Sequence, residues 1–182
     1  STLEDARGET KLLLEALSKD WELTDLTIET SELIKLQTAL ASGHRGVTVA
    51  VFESRKVIGI WSGLFESPRG VAVDVGSTTV AAHLCDLSTG DVLSSASVMN
   101  PQIPFGEDLM SRVSYIMMHP EGAEAMSAAI QTALSKLFAE LTDQLGETTD
   151  NILEVSLVAN PIMHHLVLGI NPINLGGAPF AL

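Results

Sequence analysis

A chain of 182 residues, 46% of them hydrophobic, is long enough to bury a real core as one large or two small domains. Its net charge of -13, with ten basic residues scattered rather than clustered, argues against nucleic acid or an anionic membrane surface as a partner, since both need a basic face. The single cysteine, Cys85, excludes an internal disulfide framework; no segment approaches the roughly 20 apolar residues of a membrane span, and the opening "STLEDARGETKLLLEALSKD" mixes acids and bases unlike a secretory signal. A cytoplasmic protein is expected.

Leu12 to Leu17 reads as a short helix, and the alternation from Trp21 to Ile28 predicts a strand. "SELIKLQTALAS" places Leu33, Ile34, Leu36, Ala39 and Leu40 on a helical stripe, with Ser31 as its cap and Gly43 as its stop. "GVTVAVFESRKVIGIWSG" gives two strands joined at Glu53 to Lys56. These elements form a small α/β unit over residues 1–67, and Phe65 to Gly70 reads as the linker out of it.

A second unit, residues 70–182, starts with strands at Val71–Val75, Val80–Asp86 and Val92–Met99, the last two separated by the turn residues Leu87 to Asp91. After the Pro- and Gly-punctuated "NPQIPFGED", helical spacing recurs at Leu109, Val113, Ile116 and Met117. A longer helix opens at Pro120 and Glu121 and carries Met126, Ile130, Ala133, Leu134, Leu137, Phe138, Leu141 and Leu145 to a stop at Gly146. "ILEVSLVAN" is the next buried strand, and Asn160 caps a helix from Pro161 to Leu168. The order β-β-β-α-α-β-α predicts a mixed sheet with helices packed against it.

The stretch "GVAVDVGSTTVAAHL" sets one carboxylate, Asp74, beside a small-residue bend, Gly76-Ser77-Thr78-Thr79, between two strands. Magnesium takes hard oxygen ligands and keeps several waters, so a carboxylate at a strand end can hold it through its hydration shell. Phosphate oxygens want backbone N–H groups, and a tight glycine-containing turn aims several at one point. The pattern Asp-x-Gly-x-Thr is short and unspecific by itself, and a strand-end Asp capping its own turn is the competing reading. Its setting, on the first strand of a three-strand meander followed by helices and another strand, resembles the N-terminal subdomain of the actin–hexokinase–heat-shock-chaperone superfamily.

"VDVGSTTVAAHLCDLSTG", "NPQIPFGEDLMSRV", "VANPIMHHLVLGINP" and "LGGAPF", in this order, resemble the ATPase-domain family of reductive activators of corrinoid proteins. The first α/β unit is similar in position and size to that family's middle domain. The resemblance implies ATP and Mg2+ as cofactors, with Asp74 holding the metal through water and Gly76, Ser77, Thr78 and Thr79 around the phosphates. It implies a corrinoid protein as partner, its cobalt(II) returned to cobalt(I), and an iron–sulfur cluster in a domain outside these residues, since Cys85 cannot ligate one by itself. It further implies that the chain is a fragment holding the first half of an actin-like ATPase domain, poorly active alone. Apolar surface uncovered by the missing half would then favour self-association.

Two other functions stay open at this level: a small-molecule kinase of the same superfamily, and a non-catalytic docking module. Asp108 and Arg112, four apart, read either as a surface ion pair or, with Gln102, as polar contacts facing a cleft. His164 and His165 point about 100° apart on a helix and read as packing or capping residues rather than a metal pair. The six methionines read as core, and Cys85 as an inert buried thiol.

Overall fold

The computed structural model describes residues 8–177, and these fall into two compact units dividing between Ser67 and Pro68. In the first, α1 (Glu9–Trp21) and α2 (Thr30–Ser42) accompany a three-stranded sheet of β1 (Thr27–Ile28), β2 (Val47–Phe52) and β3 (Lys56–Ser62). β3 lies centrally, antiparallel to β2 and parallel to β1. Leu36 and Ala39 of α2 are buried with Val57 and Ile60 of β3.

Three expectations for this unit change. α1 runs further than Leu12–Leu17 at both ends and takes in Trp21, which is exposed. Glu22 and Asp25 then adopt left-handed backbone, so the chain turns where alternation predicts a strand, and only Thr27–Ile28 pairs with a neighbour. Ser31 is inside α2, whose N-cap is Glu29, a residue that also pairs with Lys56. Leu33 and Ile34 are exposed, because the buried stripe is Glu32, Leu36 and Ala39.

The second unit carries β4 (Arg69–Val75), β5 (Thr79–Asp86), β6 (Val92–Met99), α3 (Leu109–Met118), α4 (Gly122–Asp143), β7 (Ile152–Ala159) and α5 (Pro161–Val167), with short 3-10 turns at Ile103–Phe105, Thr149–Asn151 and Ile173–Gly176. The order of elements is the predicted one. The sheet runs β6-β5-β4-β7, antiparallel except for the parallel pair β4–β7, so it is mixed as expected. Val71, Val73 and Val75 of β4 and Val80, Ala82 and Leu84 of β5 share one face, where they join Val113, Ile116, Met126, Ile130, Leu137, Leu141, Met163 and Leu166 from the three helices. Burying each large side chain contributes about 1.5–3 kcal/mol. Ser94 donates to the Leu141 carbonyl at 2.9 Å, seating α4 against β6.

The burial of β4 alternates: Ala72 and Asp74 are exposed between buried valines. β7 departs from expectation, since its Val155 and Val158 are exposed on the outermost strand. Asp74 and its register partner Val158 share the outer face, away from the core, whereas Val155 lies opposite buried Val71 and is exposed on an edge strand. Met99, Met110, Met117 and Met118 are exposed, and only Met126 and Met163 serve as core. Cys85 is half-buried rather than enclosed, facing away from its fully buried neighbour Leu84. His164 is exposed, and His165 binds the Pro161 carbonyl of its own helix at 2.8 Å, so neither packs in the core. Gly146 has φ +67°, the left-handed residue that a helix exit requires.

At the start of β4, Arg69 is buried and held by two acids. It donates through Nη1 to Asp86 at 2.6 Å, and through Nε and Nη2 to Glu147 at 3.0 and 2.7 Å. Bidentate pairing of this kind fixes the guanidinium plane and ties the ends of β4 and β5 to the α4–β7 connection. The hydrogen bonds from Arg69 and from the Ser88 N–H hold the Glu147 and Asp86 carboxyls, respectively, below the usual carboxylate range.

Candidate functional site

β4 and β7 are parallel and in register through Val75 opposite Ala159, so the Gly76 bend and the Asn160 cap leave the same edge of the sheet. A crevice outside the carboxyl ends of parallel strands is where open α/β sheets bind ligands. The bend is short: Gly76 donates its N–H to the Thr79 carbonyl at 3.0 Å, leaving Ser77 and Thr78 as a two-residue link. Neither has positive φ, so this is not one of the self-supporting hairpin turns that match strand twist. A Cβ on Gly76 would sit 2.7 Å from the Thr79 carbonyl oxygen, which explains glycine at this position.

The support comes from elsewhere in the chain. Asn100, 1% exposed, donates through Nδ2 to the Gly76 carbonyl at 2.7 Å and through its backbone N–H to the Thr78 carbonyl at 2.8 Å. Between these, Arg112 donates through Nη2 to the Ser77 carbonyl at 2.5 Å. Three successive carbonyls of the bend are thus engaged by protein donors. In a trans peptide the N–H lies opposite the C=O, so the N–H groups of Ser77, Thr78 and Thr79 point away from those donors.

The donors are themselves fixed. Asn100 Oδ1 accepts from the Gln102 N–H at 2.9 Å, and Gln102, with no exposed surface, donates to the Met126 carbonyl of α4 at 2.9 Å. Arg112, also without exposed surface, donates to the Gly106 carbonyl at 3.0 Å and the Gln102 Oε1 at 3.3 Å, and its Nη1 lies 2.9 Å from Met163 Sδ on α5. The bend, the segment after β6 and three helices therefore meet in one polar network beneath the loop.

Of the residues singled out from sequence, Asp74, Thr78 and Thr79 are exposed, and Gly76 and Ser77 are half-buried. Asp74 stands on the face opposite Val73 and Val75, across from Ala81 and Val158, two residues before Gly76. Asp74 is a carboxylate open to water two residues before a glycine-containing bend, which is the type of ligand a hydrated cation takes. Among the described residues no group of three or more metal-ligating side chains occurs. Leu175 to Phe180, one of the motif stretches, runs past the described residues.

The Asp108–Arg112 pair is not a surface ion pair. Asp108 caps α3, accepting from the Ser111 N–H at 2.7 Å, which holds its carboxyl below the usual range, while Arg112 turns inward. Asn100 carried no expectation, and Gln102 and Arg112 no assigned role. A signal for Arg112 existed, since position 112 shares a helix face with Leu109, Val113 and Ile116. Asn160 does cap α5, accepting from the Met163 N–H at 3.0 Å with Pro161 in the first turn.

Residues 69–182 match the family model of the RACo middle region, and residues 1–67 match that of the RACo linker region. Over 139 residues, 76% of this chain, the sequence is 34% identical to the corrinoid activation enzyme RamQ of Eubacterium limosum. The fold is similar to that of a reductive activator for corrinoid, iron-sulfur protein, with a TM-score of 0.79 and 30% identity over 99% of the chain. The chain spans 23% of the length of the first relative and 29% of the second. Matched along nearly its whole length by these two regions, the chain belongs to the RACo family and carries its linker and middle regions.

Proposed function

We propose that this chain supplies the first phosphate-binding loop of an ATP-dependent activator that returns the cobalt(II) of a corrinoid protein to cobalt(I). The observation that carries the reading is the Gly76–Thr79 bend, three of its carbonyls held by protein donors, with Asp74 two residues away open to water. Asp74 would hold a hydrated Mg2+, and the amides of Ser77, Thr78 and Thr79 would face the phosphates of ATP. ATP hydrolysis, when the nucleotide is bound, supplies free energy for an electron transfer that is otherwise uphill.

The residues of this chain bind and orient; they do not carry the electron. Cobalt(II) gains one electron on activation, and an iron–sulfur cluster as donor needs several thiolates where this chain has Cys85. Ligation of that cluster therefore belongs to a domain outside these residues. The similarity to RamQ and to the reductive activator favours a corrinoid protein as the partner. No helix among the described residues is long and apolar enough to cross a membrane.

Calorimetry with magnesium–ATP on the intact protein and its Asp74→Ala variant tests the site. Because Asp74 is exposed, the variant should keep its stability and lose affinity about tenfold or more. Equal binding by both removes Asp74 from the nucleotide site. Capture of a corrinoid protein with and without ATP tests the partner, and a complex indifferent to ATP would speak against the activator reading.

A further inference from the structure

Arg112 is fully buried, and among the described residues no carboxylate lies within ion-pair distance of it. Its partners are neutral: the carbonyls of Ser77 and Gly106, the Gln102 amide oxygen and the Met163 sulfur. An unpaired buried cation is an expensive arrangement, since it gives up hydration without gaining an anion. Burial correspondingly pushes its pKa down, countered in part by Asp108. For filling volume alone, methionine or leucine would serve at this position without that penalty.

What an arginine adds is a rigid fork with donors in several directions and a charge that stays. One arm meets the Ser77 carbonyl, the central carbonyl of the three engaged in the bend, and the other reaches Gln102 and the α5 methionine. Fixing the Ser77 carbonyl fixes the orientation of the Thr78 N–H in the same peptide plane. The charge, buried and therefore weakly screened, lies directly behind that peptide.

We propose that Arg112 is a positioning residue of the Gly76–Thr79 loop: it aims the Thr78 amide at a phosphate oxygen and backs the loop with a positive charge that makes no ion pair among the described residues. The inference rests on the reading of this loop as a nucleotide phosphate site. An anion arriving on the open side would add a counter-charge beyond the distant Asp108. Arg112 acts through the loop and does not touch the nucleotide.

The test compares the intact parent protein with Arg112→Met and Arg112→Lys, using magnesium–ATP and adenosine as calorimetric probes and hydrogen exchange of the nucleotide-free protein as a second readout. Arg112→Met should weaken magnesium–ATP about tenfold or more while leaving adenosine binding unchanged, and the Ser77 to Thr79 amides should exchange faster. Arg112→Lys, with the charge but not the fork, should fall between the two; if the methionine variant does not fold, the lysine variant carries the same comparison. A merely structural arginine predicts a different pattern, in which ATP and adenosine are weakened alike or neither changes. Either of those results overturns the proposal while the phosphate site stands. A parent that takes no magnesium–ATP overturns the site reading, and this inference with it.

Discussion

Replacing Asn100 by alanine deletes one donor and one acceptor at the centre of the network. The Gly76 carbonyl loses a 2.7 Å hydrogen bond and the Gln102 N–H loses one of 2.9 Å. A buried polar group left without a partner costs about 1–3 kcal/mol. Gln102 is fully buried, so its N–H should cost near the upper end, whereas half-buried Gly76 can recruit water and should cost less. The sum is about 2–4 kcal/mol, read in urea denaturation as a midpoint lowered by roughly 1–2 M. Asn100→Asp sharpens the test. It keeps the acceptor for Gln102 but sets a carboxylate oxygen against the Gly76 carbonyl, where only a protonated carboxyl can donate. Its pKa in the folded state should therefore rise above the unfolded value of about 3.9. Between those two values the folded state binds the extra proton, so the variant's stability relative to the parent should recover as pH falls through the raised pKa and stay low at neutral pH. An alanine variant within about 0.5 kcal/mol of the parent, or an aspartate penalty that does not change with pH, would refute the reasoning.

Gly76→Ala should destabilise by about 1–3 kcal/mol and abolish magnesium–ATP binding, because its Cβ meets backbone that cannot swing aside; thermal denaturation with calorimetry checks both, and wild-type affinity would contradict it. The Arg69 cluster predicts an acid limb. Folded-state pKa values of Asp86 and Glu147 lie below their unfolded ones, so their stabilisation is present above about pH 4 and is lost as pH falls through the depressed values. Glu147→Gln should flatten that limb in acid titrations followed by circular dichroism, and an unchanged limb would remove the cluster as its cause.

The second unit was legible because period-2 and period-3.6 patterns with clear stops describe it element by element, and the cap at Asn160 and the left-handed Gly146 follow from local chemistry. What sequence patterns missed depends on contacts between distant residues. The alternation from Trp21 to Ile28 was overridden by left-handed Glu22 and Asp25, of which only the aspartate is a residue type that favours that conformation. The exposure of Met99, Met117 and Met118 reflects where neighbouring elements lie, not the residues' own preference. Arg112 sits on the apolar face of its helix, but a charged residue four after an acid reads first as a surface pair. The acid was already occupied by the cap, and the arginine's acceptors are remote in sequence.

The Gly76 bend owes its shape to donors 24 and 35 residues further along the chain. Grafted onto a foreign hairpin, the letters Val-Gly-Ser-Thr-Thr would bring the wording and leave the cradle behind, since the turn is not one that holds itself. The native form of the bend therefore depends on the segment after β6 and on α3 being in place. A transplant intended to carry the binding property has to include everything through Arg112.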